Sequence, residues 1–447
     1  MGIVVKYSGR KIMKRIPVFF LAYAIVGSLA LAGPTTVYTL GNGMEIILKE
    51  NHAMPLISSV VVVKAGSKYE TEQNNGFTHL LEHMLFNGTE NRTRMEINEG
   101  IKDYGGYINA FTRQEMTGYL VVMPAEFIDH GLDIQADQLF NSILPEEEFP
   151  KERDIVAEEI KKDNDAIDNV AYDFFNSVVY AGSPYARPVI GYESTIRSVS
   201  RDEVMKYYKE RYVPNNMTAL IIGDFKTVEM LEKVSRHFGS ARRGILPKLA
   251  EFNIDPPFDN TVHIKKYPTP NIYLQISIPL PGYDDPGYFA CDMLTQFLNS
   301  GESSPLYQQL VSNENPVANE LSVSMDLQKE FCMMNIGIKA DSTADVQNIV
   351  TSTLAALGEI SQRKFSGDEI NRVVTPIKVN DIKLEEKLHY YGIMKAPILA
   401  TCGIDFLENY LANLSKAKPA EVEQAARKYL NSPKYVACAL VNDKEAK

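Results

Sequence analysis

Apolar and polar residues are distributed along this chain in blocks whose period predicts the local element. Residues 107–112 and 117–123 read as two successive strands, the first entered through the flexible pair Gly105-Gly106. Helical spacing governs residues 78–86, where Leu80, Leu81, Met84, Leu85 and Phe86 are apolar. Thr78 can cap that helix, and Asn87-Gly88 ends it. Another helix is expected over 151–160, with Ile155, Val156 and Ile160 as its burying stripe. A helix from 203 to 212 leads into the apolar block 219–224, and this order has an echo in 421–429 followed by 436–441. Such a repeat suggests duplication. The pattern is α+β, and the length implies two domains of about 200 residues each. We place them at 33–240 and 261–447, joined by a linker at 241–260 rich in Gly, Pro and charge.

One block stands apart. Arg10, Lys11, Lys14 and Arg15 precede an apolar run over 16–31 that ends in Ala30-Leu31-Ala32. Basic residues, a short apolar stretch and small residues at its end are the parts of a signal peptide, here 1–32 with cleavage after Ala32. The run is short for a membrane span, so periplasmic or secreted location is expected ahead of an uncleaved anchor. The formal net charge is −11, and losing this basic segment makes the rest more acidic still. An acidic balance disfavours nucleic acid as a partner. Hydrophobic content of 45% with no other long apolar run is that of a globular protein. Cys291, Cys332, Cys402 and Cys438 are dispersed without metal-type spacing, and read as free thiols ahead of disulfides.

The chemistry is concentrated in His79-Leu80-Leu81-Glu82-His83. Residues four apart share a helix face, so both imidazoles can reach one metal ion, and Glu82 lies beside them as a base. Two histidines packed near a core would share this spacing, but the chain has only seven histidines in 447 residues. Zinc requires a third protein ligand. Glu152 and Glu159 lie two helical turns apart on a common face, and Glu158 competes with Glu159 on spacing alone.

Together these stretches resemble the pitrilysin family of zinc peptidases, which includes the insulin-degrading enzymes and the mitochondrial processing peptidase. The resemblance is carried by Gly76-Phe77-Thr78-His79-Leu80-Leu81-Glu82-His83-Met84-Leu85-Phe86-Asn87-Gly88-Thr89, whose core is the inverted H-x-x-E-H motif, and by Glu152-Arg153-Asp154 leading to Glu159. It continues in Gly191-Tyr192 and Pro214-Asn215-Asn216-Met217. It implies one zinc ion per chain held by His79, His83 and Glu159, with Glu82 as general base. Glu152 would be a supporting carboxylate that orients His79 or Glu159. It also implies two related, mainly antiparallel sheets backed by helices, and an edge strand containing Asn109 and Ala110 that pairs with an extended substrate.

The second half departs from the family pattern. Active members often carry an arginine and a tyrosine that reach the substrate after the segment resembling 298–307, but here those places fall near Val311 and near Ala318 or Asn319. The expectation is therefore an exported zinc metalloendopeptidase acting on extended or unfolded peptides, paired with a related zinc-lacking subunit that supplies both residues. A homodimer is the second possibility. A non-catalytic binding or assembly subunit is the alternative from a different class.

Overall fold

Valine- and isoleucine-rich strands build two sheets in this computed structural model, which describes residues 4–6, 33, 35–249, 251–252, 257–329 and 331–443. The expected leader and its cleavage point lie outside the described residues, apart from Val4–Lys6. The first sheet contains β1 (Val4–Lys6), β2 (Thr36–Thr39), β3 (Glu45–Glu50), β4 (Leu56–Val63), β5 (Tyr107–Thr112), β6 (Thr117–Pro124) and β7 (Met217–Gly223), in the order β1-β2-β3-β7-β4-β6-β5. The second contains β8 (Val262–Tyr267), β9 (Asn271–Pro281), β10 (Glu320–Asp326), β11 (Phe331–Asp341) and β12 (Val436–Asn442), in the order β8-β12-β9-β11-β10. From β3 onward the two orders are the same permutation of the chain order. In both, the first strand pairs in parallel with the last and every other pair is antiparallel. The architecture is α+β, with two mainly antiparallel sheets backed by helices.

The central strands are buried on both faces. All seven residues of β7 and seven of the eight in both β4 and β6 are inaccessible. That accounts for runs such as Val60-Val61-Val62-Val63, since a strand covered on both sides gains by being apolar throughout. One face of the first sheet packs against α1 (Phe77–Met84), α2 (Arg94–Lys102), α3 (Ile128–Phe140) and α4 (Phe149–Asp165). Helix α4 buries Phe149, Glu152, Val156, Ala157 and Ile160, whereas Ile155 is 45% exposed, which corrects the expected stripe. Ile155 and Ala157 flank Val156 on opposite sides, so periodicity fits either, and packing takes the alanine side.

The chain divides into two units that are discontinuous in sequence. The first comprises residues 1–161, 188–251 and 382–400, and the second comprises 162–187, 252–381 and 401–447. Two helical stretches are thereby exchanged relative to contiguous segments at 33–240 and 261–447. Residues of the helical stretch Leu388–Leu414, which is broken at Gly403, cover the other face of the first sheet: Gly392 packs so closely on Val60 and Leu120 that an added Cβ would lie 3.1–3.3 Å from them. In the second unit, α5 (Ile167–Val179) places Val170, Ala171, Phe175 and Val179 against Val436, Cys438 and Leu440 of β12. The helix Arg201–Arg211 before β7 and the helix Pro419–Tyr429 before β12 occupy the positions expected from the repeat. None of the four cysteines forms a disulfide, and three of them are buried. Among the described residues no helix is long and apolar enough to cross a membrane.

Candidate metal centre

Helix α1 presents its apolar side, Phe77, Leu80, Leu81 and Met84, to the core. His79, Glu82 and His83 are left on the opposite side. The helix is not capped by Thr78 as expected. It begins at Phe77 after Gly76, which has φ +98° and no side chain to offer. The Glu70 carboxylate supplies the cap, accepting from Gly76 N at 2.8 Å and Thr78 N at 2.7 Å. Thr78 lies inside the first turn, and its hydroxyl also donates to Glu70, at 2.6 Å. Gly76 is required on two counts, its left-handed φ and its proximity to Gly191, whose Cα would lie 2.9 Å from an added Cβ.

Helix α4 brings Glu159 to the two rings. Glu159 Oε2 lies 3.4 Å from His83 Nε2 and 3.9 Å from His79 Nε2. One ligand atom from each of the three residues can be chosen so that all lie within 4.8 Å of one another. Tetrahedral zinc with bonds of about 2.0–2.1 Å separates its ligands by about 3.3–3.4 Å, so the set fits with small side-chain adjustments. Glu158 does not compete, because it points to solvent and pairs with Lys161 and Arg197.

Glu152 is buried two turns before Glu159, and its Oε2 lies 3.2 Å from His83 Nδ1. It therefore orients His83 and neither His79 nor Glu159, because the α4 register places it alongside the C-terminal end of α1. A carboxylate at Nδ1 fixes the proton there and leaves Nε2 as the lone pair facing Glu159. Arg94 donates to the other oxygen of Glu152 at 3.1 Å. Burial raises the Glu152 carboxyl, but hydrogen bonds from His83 and Asn87 outweigh it and hold the group below the usual carboxylate range. Burial likewise lowers His83, and the Glu152 hydrogen bond with the charges of Glu159 and Glu82 reverses this to a net rise. His79 is pushed down to about 3, by burial and then by the neighbouring His83, which favours the neutral ring, the form in which an imidazole can bind a metal.

Glu82 occupies a cleft of about 300 Å³ shared with Phe86, Arg94, Asn98, Asn109 and Ala110. Burial raises its carboxyl, against an opposing hydrogen bond from Thr112, whose hydroxyl donates to Glu82 Oε2 at 2.5 Å. Asn109 and Ala110 lie on β5, the terminal strand of its sheet, paired with Leu120 and Tyr119 of β6. A larger cleft of about 700 Å³ lies beside Arg92, Asp133 and His237 and contains none of His79, His83 and Glu159. Glu70, Arg94 and Thr112 escaped the sequence reading, since nothing in their local pattern marks a contact with a helix eight to 58 residues away. In the second unit, Val311 follows a short helix, Ala318 is buried, and the Asn319 amide is bound to Asp341.

Comparison with known proteins settles the ancestry. Residues 45–193 match the family described as Insulinase (Peptidase family M16), and residues 198–376 match the Peptidase M16 inactive domain. The chain belongs to peptidase family M16. Among relatives, an uncharacterized zinc protease of Bacillus subtilis, YmxG, is 34% identical over 203 residues, 45% of this chain and 49% of that protein. A probable β subunit of the mitochondrial-processing peptidase of Arabidopsis thaliana is 32% identical over 207 residues, 46% of this chain and 39% of its own length. The matches thus span about half or less of these two relatives. The zinc protease PqqE of Helicobacter pylori is 27% identical over 409 residues, covering 88% of this chain and 89% of that one. The crystal structure of a protease from Helicobacter pylori shares this fold with a TM-score of 0.81 at 22% identity, over 90% of this chain and 98% of that one.

Proposed function

We propose that this M16 chain is the metal-bearing subunit of an exported zinc peptidase that cleaves extended or unfolded peptides. The observation that carries this reading is the convergence of His79, His83 and Glu159 from two separate helices, with the half-buried Glu82 beside them. Bound by these three residues, zinc would supply Lewis acidity and lower the pKa of water toward about 7. The remaining work falls to the chain. Thr112 holds Glu82 through Oε2, which leaves Oε1 to take a proton from the attacking water and return it to the departing amide nitrogen. Glu152 keeps the proton of His83 on Nδ1. The outer edge of β5 offers main-chain donors and acceptors to a peptide added as one more strand, an attachment that depends on extended conformation more than on side chains.

Val311, Ala318 and Asn319 can supply neither a cationic donor nor a phenol to an oxyanion. This favours a second, related chain that supplies them, ahead of a homodimer. Export rests on the basic and apolar pattern of residues 10–32.

The decisive experiment measures hydrolysis of an unstructured peptide by the purified protein, alone and co-expressed with a related chain that lacks H-x-x-E-H. A chelator should abolish activity and zinc should restore it. Glu82→Gln should retain zinc and lose about 10²–10⁴-fold in turnover. Activity indifferent to the chelator, or surviving in Glu82→Gln, overturns the proposal. Full activity of the lone chain removes the two-subunit part.

A further inference from the structure

The two histidines of the metal centre are held differently. His83 has Glu152 at Nδ1, the usual arrangement in which a carboxylate fixes the ring of a metal ligand. His79 Nδ1 is buried and meets no acceptor among the described residues. Its ring touches the His83 ring edge-on, with centroids 4.9 Å apart, and that contact moves with the same helix. The direction of His79 Nε2 is therefore inherited from the placement of the α1 backbone. That backbone is only eight residues long, so its own hydrogen bonds give it little rigidity and its end anchors decide where it points.

The N-terminal anchor is Glu70. Its carboxylate accepts from Asn75 Nδ2 at 3.0 Å and Gly76 N at 2.8 Å on Oε2, and from Thr78 N at 2.7 Å and Thr78 Oγ1 at 2.6 Å on Oε1. Two of these donors are backbone N–H groups at the start of α1, which a helix cannot satisfy internally. The clamp extends on both sides. Thr78 Oγ1 lies 3.1 Å from the Tyr207 hydroxyl, and Asn75 Nδ2 donates a second bond to Pro188 O at 3.1 Å. The last anchored atom, Thr78 N, belongs to the residue before His79.

We propose that Glu70 is the positioning residue for His79, its bidentate clamp on the first turn of α1 replacing the ring-to-carboxylate bond that His79 lacks. This rests on the zinc reading of the site. Because metal ligands must be held to within about 0.5 Å, a small swing of the first turn misdirects His79 and leaves His83, with its own carboxylate, in place.

The test uses the full chain as parent, Glu70→Gln and Glu70→Asp. Glutamine puts an amide NH2 group where two donors need an acceptor, and aspartate keeps the charge but shortens the reach. Zinc affinity is read by chelator competition and site geometry by the visible spectrum of the cobalt(II) form. Asp137→Asn serves as a control that lowers stability in the same unit without touching α1. Both Glu70 variants should bind zinc on the order of 10–100-fold more weakly, with an altered cobalt spectrum, and Asp137→Asn should bind like the parent. If Glu70→Gln does not fold, Glu70→Asp decides. Parent-like affinity and spectrum in a folded Glu70 variant, or an equal loss in Asp137→Asn, overturns the inference. A parent that binds no zinc overturns the metal centre and this inference with it.

Discussion

Thr112 Oγ1 stands 2.5 Å from Glu82 Oε2, so the end of the outermost strand is tied directly to the base of the motif helix. The strand expected to receive substrate therefore also holds the group expected to move the proton. Thr112→Val keeps the shape and removes the donor. A hydrogen bond to a charged group contributes about 1.5–3 kcal/mol, so turnover should fall about 10–100-fold. Zinc stoichiometry should stay at one, which separates this loss from loss of metal. Unchanged kcat would assign Thr112 a purely structural part.

Glu152 bridges His83 and Arg94 from a buried position on α4. Glu152→Gln should weaken zinc binding by about 10–100-fold, measured by chelator competition. Glu158→Gln, six residues further along the same helix, should leave it unchanged, because Glu158 faces solvent. Equal effects of the two would indicate a general response to lost negative charge.

Asp137 is buried and accepts hydrogen bonds from Thr89, Asn91, Asn141 and Arg92. Burial raises its carboxyl, and these donors outweigh burial, holding it below the usual range. A depressed folded-state pKa contributes stability in full above the unfolded value of about 3.9, and that contribution disappears as pH falls through the folded value. Asp137→Asn should thus cost about 1–3 kcal/mol at neutral pH, and the deficit should shrink below about pH 4. Denaturant titrations of both proteins across that range give the answer, and a deficit that does not shrink contradicts this account.

Gly76→Ala should destabilise the first unit by about 2 kcal/mol or more. It combines about 1–2 kcal/mol for a left-handed residue with a clash against Gly191 and Ile196. Thermal unfolding of the metal-free protein measures it.

The pairing of faces was legible because helix periodicity is local: His79 and His83 share one face and Glu152 and Glu159 another, whereas spacing left Glu158 open beside Glu159 and only the family resemblance chose between them. The strands on both sides of residues 113–116 and the repeated helix–strand endings were legible for the same reason. What stayed hidden depends on which faces meet. Ile155 and Ala157 were equivalent by period and separated only by packing. The partner of Glu152 depended on the register of α4 along α1, and the cap of α1 came from Glu70, which lies outside the helix. Exchange of 162–187 and 382–400 was equally hidden, because an amphipathic pattern states that a helix has an apolar side and not which sheet receives it.

That exchange has a consequence for synthesis. When a ribosome has completed the first half of the chain, Val60 and Leu120 still lack the cover that Gly392 and its neighbours provide. The nascent first unit must wait, with bare sheet exposed to holding factors or to itself, until residues 382–400 have emerged. A gene cut at the boundary of the halves would yield two sticky fragments in place of two independent proteins.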